Sequence, residues 1–311
     1  MKQRRCGGLA VERFRDPLAR AVDHERHCVV RRPVVPVDDL LELDKTFTIT
    51  VDDVPETTFM VIADTPYNDG EIPVVTDILA NLPEEVEFVV HLGDIKNGSS
   101  VLITADYISE ISSLLQTSTV PLFIILGDNE FNDSDDPAGA FTLWSDEFGY
   151  FDQNWTHDIG VTYQDIRPEN FSFVINDTLF VGINLVGGQV HDADEFAARS
   201  ADDLVWIEDM FSQYGAAASN AVIFGHASPS YSEYSAFKQG FISVAEDFQK
   251  PILYLQGDLH DWTLDDSYAG TDNIKKIILE RTGPGGALKV SISDDTEDPF
   301  SSDHNFDDSF L

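Results

Sequence analysis

VPLFIILGDNEFND, residues 120–133, runs apolar for seven positions, breaks at Gly127 and turns polar at Asp128, Asn129 and Glu130. An unbroken apolar run suits a strand buried on both faces, because helices cover both sides of a parallel sheet and no alternation is needed. The acidic exit then stands at the carboxyl end of that strand, where open α/β sheets bind their ligands. Whether it is a lone turn or part of a site depends on how the other strands end.

Four further buried strands are predicted, FMVIAD (59–64), VEFVVHLGD (86–94), AVIFGHA (221–227) and PILYLQGD (251–258). All five end alike, in Ala63-Asp64, Gly93-Asp94, Gly127-Asp128, Gly225-His226 and Gly257-Asp258, the last followed by His260. Singly, an aspartate after a strand caps the next helix or forms a turn. Five together, each behind a small residue that admits close backbone approach, predict a shared rim at the strand ends of one sheet. Four carboxylates and two imidazoles on one rim repel one another unless cations neutralise them. Oxygen and nitrogen donors without thiolate suit two divalent ions about 3.5–4 Å apart, bridged by a carboxylate, as used for in-line attack on phosphorus or carbonyl centres.

Between these strands, IPVVTDILANL (72–82) and VLITADYISEISSLLQ (101–116) read as helices, which makes the fold class α/β. FSFVINDTLFVGINL (171–185) is predicted as a hairpin turning at Asn176 and Asp177. SADDLVWIEDMFSQY (200–214) has helical spacing and opens on a capping box of Ser200 and Asp203. NIKKIILERT and ALKVSIS supply late strands around a GPGG turn.

The chain of 311 residues is 42% hydrophobic and carries a formal charge of −37, with 56 acidic against 19 basic residues. That balance argues against a nucleic-acid-binding surface and points to a salty working environment, where charge is screened beyond about 8 Å. No apolar run is long enough to span a membrane, so the protein reads as soluble. Nine of the nineteen basic residues fall within 1–36, with both cysteines, Cys6 and Cys28, so thiolate metal sites and a disulfide framework are excluded from the rest. Residues 1–45 read as a disordered N-terminal extension, 46–293 as the domain and 294–311 as an acidic, solvated tail. Five asparagines, Asn97, Asn132, Asn154, Asn170 and Asn176, open N-x-Ser/Thr triplets, a hint of export that the absence of a credible leader opposes.

With ADTPY, GDIKNG, GDNEF, GHASP and GDLH in this order over residues 58–263, the chain resembles the calcineurin-like metallophosphoesterases, in a divergent phosphatase-like branch. The resemblance implies a two-sheet β sandwich flanked by helices, with Asp64 and His260 on a first metal, Asp94 bridging, and Asp128, His226 and Asp258 on the second. It implies a hydrolase of phosphate esters, small molecules or nucleotides, that uses a dinuclear metal site and a metal-bridging hydroxide. Pro66 stands where the family has a histidine on the first metal, leaving Tyr67 or water to substitute. Asn129 stands where the family has the histidine that protonates the leaving group, a role asparagine cannot fill and that passes to water or another residue such as His191. Two extra carboxylates, Asp128 and Asp258, favour hard ions such as Mn²⁺, Mg²⁺, Ca²⁺ or iron over zinc alone. Lys96 is either a phosphate ligand or a surface lysine, and Glu130 holds the Asn129 loop. His157 reads as an ordinary loop residue. The rival readings are a degenerate member that binds metal without catalysis, and a calcium-binding surface protein based on SDDTEDPF (293–300).

Overall fold

The computed structural model describes residues 4–6, 9–11, 57–98, 103–282 and 286–304. The chain divides into two compact units, Met1–Asp53 and Val54–Leu311. In the first, β1 (Arg4–Cys6) pairs antiparallel with β2 (Leu9–Val11). The rest of the stretch read as a disordered extension, Cys28 included, lies outside the described residues, as does most of the GPGG turn.

In chain order the second unit runs β3 (Thr57–Ile62), α1 (Ile72–Ala80), β4 (Val86–His91), α2 (Ala105–Leu115), β5 (Leu122–Ile124) and α3 (Pro137–Phe148). There follow β6 (Thr162–Gln164), β7 (Arg167–Ile175), β8 (Thr178–Gly182), α4 (Ala193–Tyr214), β9 (Asn220–Phe224), α5 (Ser235–Phe248) and β10 (Ile252–Gln256). Strands β11 (Thr263–Asp265), β12 (Ile274–Ile278), β13 (Leu288–Ile292) and β14 (Phe300–Asp303) complete it.

Two sheets result, five strands in the order β14-β13-β3-β4-β5 and seven in the order β11-β12-β10-β9-β8-β7-β6. The strands whose ends carry the acidic pairs lie in parallel runs, β3-β4-β5 in one sheet and β8-β9-β10-β12 in the other, with β13 antiparallel on the far side of β3. Alternation is present after all, but between two apolar surfaces. Along β3 and just past its end, Phe59, Val61 and Ala63 face the other sheet, while Met60 and Ile62 face α1, α2 and α3. Likewise Val222 and Phe224 of β9 join the layer between the sheets, and Ala221 and Ile223 pack under α4 and α5. Each strand is therefore apolar on both sides, which is why the sequence shows an unbroken run. Phenylalanines fill the middle layer, with Phe123 and Phe173 stacked at 4.6 Å and Phe59 and Phe88 at 5.0 Å, each such pair adding about 1 kcal/mol beyond area burial.

The hairpin turns where predicted, Asn176 and Asp177 both adopting positive φ (45° and 66°), as a two-residue turn of the favoured twist requires. Two expectations are corrected. Helix α4 begins seven residues before Ser200, capped by Asp192, which accepts from Asp194 N at 2.9 Å, so Ser200 and Asp203 lie buried inside it rather than at its start. The segment read as solvated tail supplies β14, with Phe300 buried against β13. SDDTEDPF is the turn between these two strands, where Asp295 Oδ1 accepts from Glu297 N and Asp298 N. No described helix is long and apolar enough to cross a membrane. Of the N-x-Ser/Thr asparagines, Asn132 and Asn170 are buried with their amides bonded to Gly187 O and to Gln164 and Asp203, whereas Asn154 and Asn176 are less enclosed.

Candidate metal centre

The five loops that follow β3, β4, β5, β9 and β10 meet at one end of the sandwich. Three come from the five-stranded sheet and two from the seven-stranded sheet, so the rim spans both sheets, not one as the strand endings alone suggested. The backbone turns sharply at several of these exits. Asp64, Asp94, Asp258 and His260 have φ of 56°, 60°, 70° and 58°, a left-handed conformation that aspartate tolerates better than most residues. Gly93 and Gly127 let two of these loops touch: a Cβ on Gly93 would lie 2.5 Å from Gly127 N, and one on Gly127 would run into Asp94 N and Oδ1.

Asp64, Asp94 and His226 form one group whose donor atoms lie within 4.8 Å of one another, and Asp128, His226 and Asp258 form a second. His226 is shared, with Nε2 at 3.0 Å from Asp128 Oδ1 and 3.3 Å from Asp94 Oδ1; its Nδ1 lies 2.7 Å from Leu92 O, which fixes Nδ1 as the donor. His260 Nε2 stands 3.2 Å from Asp64 Oδ1 at the exposed edge. Asp94 belongs to the first group. Its Oδ1 faces His226, and its Oδ2 accepts from the Tyr67 hydroxyl at 2.8 Å. Ligands held about 2.1 Å from a cation lie about 3.0 Å apart along an octahedral edge and about 3.4 Å along a tetrahedral one, spacings that these hydrogen-bonded groups would also suit.

Glu130, fully buried, accepts from Gly127 N (2.7 Å), Asp94 N (3.1 Å) and Ile95 N (3.2 Å), tying the second and third loops together. Burial and then Asp94 push its carboxyl up to about 8, with His226 and the backbone N–H groups of Gly127 and Glu130 opposing. Burial also opposes charging of His226, but Asp94 and Asp128 outweigh it and raise its proton affinity well above normal. Asp258 is raised by burial and by Asp128, while the Tyr231 hydroxyl, donating to its Oδ2 at 2.8 Å, opposes that. In all three, neighbouring carboxylates push the proton affinity upward, added to burial at Glu130 and Asp258 and against it at His226.

His91, at the end of β4, donates from Nε2 to Thr65 O (2.9 Å) and accepts Gly93 N on Nδ1 (3.1 Å), so both nitrogens are engaged only in the neutral ring. Burial lowers its pKa from 6.5 to about 4. The native state thus binds fewer protons than the unfolded chain between these values, and stability present above pH 6.5 is lost as pH falls towards 4. The loss from this group amounts to about 3 kcal/mol. Thermal unfolding of the wild type between pH 7 and 4 is expected to show it, and His91→Gln to flatten that dependence.

The other expected residues fall in place to different degrees. Asn129 donates from its backbone to Asp94 Oδ1 (3.0 Å) and from Nδ2 to Tyr67 Oη (3.1 Å) and to Asp94 Oδ2. Lys96 is only 6% exposed, which removes the surface reading; its ammonium donates to Asn129 O (2.8 Å) and Asn97 O (3.1 Å) and so clamps the loops. His191 is exposed and its Nε2 lies 2.7 Å from Asn132 O. His157 pairs with Asp152. Sequence reading missed Tyr231 and Arg281. The Arg281 guanidinium lies 4.0 Å from the Tyr67 ring centroid and donates to Asp64 O (3.3 Å) and Glu71 Oε1 (2.5 Å). Its only signal is a position just beyond β12.

Do these residues suit cations? Asp64 Oδ2 is buried without a hydrogen-bond partner, a costly state for a carboxylate oxygen unless a cation meets it. A Cβ on Gly257 would crowd that same oxygen at 2.6 Å, so glycine there keeps the space open. Four carboxylates with two imidazoles and no thiolate form a hard donor set. They fit.

The family model for calcineurin-like phosphoesterases matches residues 57–262. No curated protein sequence matches the chain. Similar solved structures include GAP50, the anchor in the inner membrane complex of Plasmodium, at 12% identity over 80% of this chain and 88% of that one, with a TM-score of 0.46. The 5'-nucleotidase of Candida albicans is 14% identical over 79% of this chain and 51% of that one (TM-score 0.48), and TT1561 of Thermus thermophilus is 9% identical over 80% and 99% (TM-score 0.47). Identities this low carry nothing about function. The family match, by contrast, spans well over half of the sequence and runs through every one of the strand ends that build the rim: the chain belongs to the calcineurin-like phosphoesterases.

Proposed function

We propose that the protein is a metal-dependent hydrolase of phosphate esters with a dinuclear centre. The observation that supports this most is the meeting of two donor groups, Asp64, Asp94 and His226 in one and Asp128, His226 and Asp258 in the other, at one end of the sandwich. Asp64 and His260 would hold one cation, Asp128, His226 and Asp258 the other, and Asp94 both. Bound divalent ions (Mn, Fe, Mg, Ca or Zn) would supply Lewis acidity, drawing charge from phosphoryl oxygens and lowering the pKa of an attacking water.

The chain's own residues set the rest. Glu130 and Lys96 hold the Asp94 and Asn129 loops in register through backbone groups. Asn129 presents an amide to the centre, a donor able to orient a phosphoryl oxygen but unable to give a proton to a departing alkoxide. Leaving groups that need no proton are therefore favoured. A panel of aryl and alkyl phosphomonoesters and diesters tests this reading. Hydrolysis is expected to disappear on exhaustive chelation, to return with added Mn²⁺, and to fall steeply from aryl to alkyl leaving groups. Full activity after chelation would reject it.

A second reading, a member that binds cations without turnover, is favoured by the engagement of the Asn129 amide on Asp94 and Tyr67. Turnover of any ester in the panel that depends on His226 disposes of it.

A further inference from the structure

With 56 acidic residues against 19 basic ones, the chain offers nearly every cation a carboxylate. Among the described residues of the second unit, only Lys238 and Lys276 form neither an ion pair nor a hydrogen bond through their ammonium groups. Every other arginine and lysine there does, as Lys275 with Asp298 (2.8 Å) and Lys250 with Gly215 O (2.7 Å). The two exceptions meet at one ring. Lys276 Nζ stands 4.8 Å and Lys238 Nζ 5.4 Å from the centroid of Tyr268.

Lys276, in β12, is only 7% exposed. A ring face offsets part of the cost of burying an ammonium group, and an acceptor is still wanting. Asp265, its partner in register on β11, forms no ion pair with it and turns Oδ1 to Ser267 N (3.1 Å). Burial lowers the proton affinity of Lys276; Asp265 opposes this and Lys238 adds to it, so the two like charges feel each other. Lys238 is half-buried near the start of α5, a helix that opens with no acidic residue and no side-chain cap, and whose end adds positive potential. Tyr268 Oη lies 3.1 Å from Ser230 Oγ. One of their two protons serves that bond, and the other remains to be donated outward. Ser230 is exposed, so the group opens to solvent.

We propose that Lys238 and Lys276, with the Tyr268 and Ser230 hydroxyls, bind a phosphoryl oxyanion at a site separate from the metal centre. Two ammonium groups and a hydroxyl proton match the charge and the acceptor oxygens of a phosphate. The site adjoins the centre along the chain, since Ser230 precedes Tyr231, whose hydroxyl donates to Asp258 Oδ2 at 2.8 Å. The anion is free inorganic phosphate, the product of the proposed reaction, or a second phosphoryl group of the substrate. Its source rests on the hydrolase reading above; its binding does not.

Inorganic phosphate is the probe, titrated calorimetrically at low ionic strength into full-length protein stripped of metal, whose rim of carboxylates then repels anions. Saturable binding is expected, weakened about tenfold or more in Lys276→Gln and in Lys238→Gln. Lys275→Gln, adjacent in sequence but paired with Asp298 and Asp266, is expected to bind as the wild type does. Far-UV circular dichroism checks folding, and Lys238, half-buried, provides the test should the Lys276 variant fail to fold. No binding by the folded wild type, or binding unchanged in the folded variants, overturns the site and leaves the hydrolase reading intact. With metal restored, a KM that rises in Lys238→Gln for a bisphosphate ester but not for p-nitrophenyl phosphate assigns the site to the substrate; any other pattern assigns it to free phosphate. Phosphate binding without turnover of any ester overturns the hydrolase reading alone.

Discussion

Asp94→Asn is expected to lower hydrolysis of an aryl phosphate by about a thousandfold or more, equivalent to ~4 kcal/mol of transition-state stabilisation, with the fold kept. The side chain is nearly isosteric, and an amide oxygen can still accept Asn129 N, which now lies 3.0 Å from Asp94 Oδ1. What disappears is the negative charge that the proposed function assigns to both cations, and with it the group that would hold them at one spacing. The replacing NH₂ would also point at either His226 Nε2 or the Tyr67 hydroxyl, where an acceptor stands now. Initial rates on p-nitrophenyl phosphate, alongside metal content per chain, measure the effect. Wild-type rates in a variant that has lost metal would detach the chemistry from the centre.

Gly127→Ala is expected to lower the melting temperature by roughly 10 °C, through a loss of about 3 kcal/mol or more, and to abolish activity. The added methyl group meets the backbone nitrogen and Oδ1 of Asp94, and no side-chain rotation can move that nitrogen aside. Relief requires the second and third loops to separate, which also pulls Gly127 N from Glu130 Oε1. Gly160→Ala is the control, since nothing lies within 4 Å of its Cβ position. Differential scanning calorimetry of both variants separates this close contact from a general intolerance of alanine.

The strand endings were readable because apolar strand, small residue and polar residue follow one another along the chain, and local order is what a sequence displays. Which sheet each strand joins was not. Nothing near Gly225-His226 distinguishes it from Gly93-Asp94, yet one leaves the seven-stranded sheet and the other the five-stranded one, because pairing is decided by distant partners. Helix α4 was seen too short for a related reason. Its first two turns, with Arg199 buried by ion pairing to Glu195 at 2.9 Å, lack the apolar spacing that marks the rest. Phe300 is one aromatic in an acidic, serine-rich run, too little to predict a strand, although its burial anchors the otherwise exposed β14 to β13. Arg281 and Tyr231 reach the centre only through folding, 217 and 27 positions from the residues they bond.

The most direct test is anomalous diffraction from crystals of the protein soaked in Mn²⁺. Two peaks are expected on either side of Asp94, one within bonding reach of Asp64 and His260, the other of Asp128, His226 and Asp258. A map with no peak among these six side chains, or with peaks only elsewhere, would contradict the dinuclear centre on which the proposed function stands.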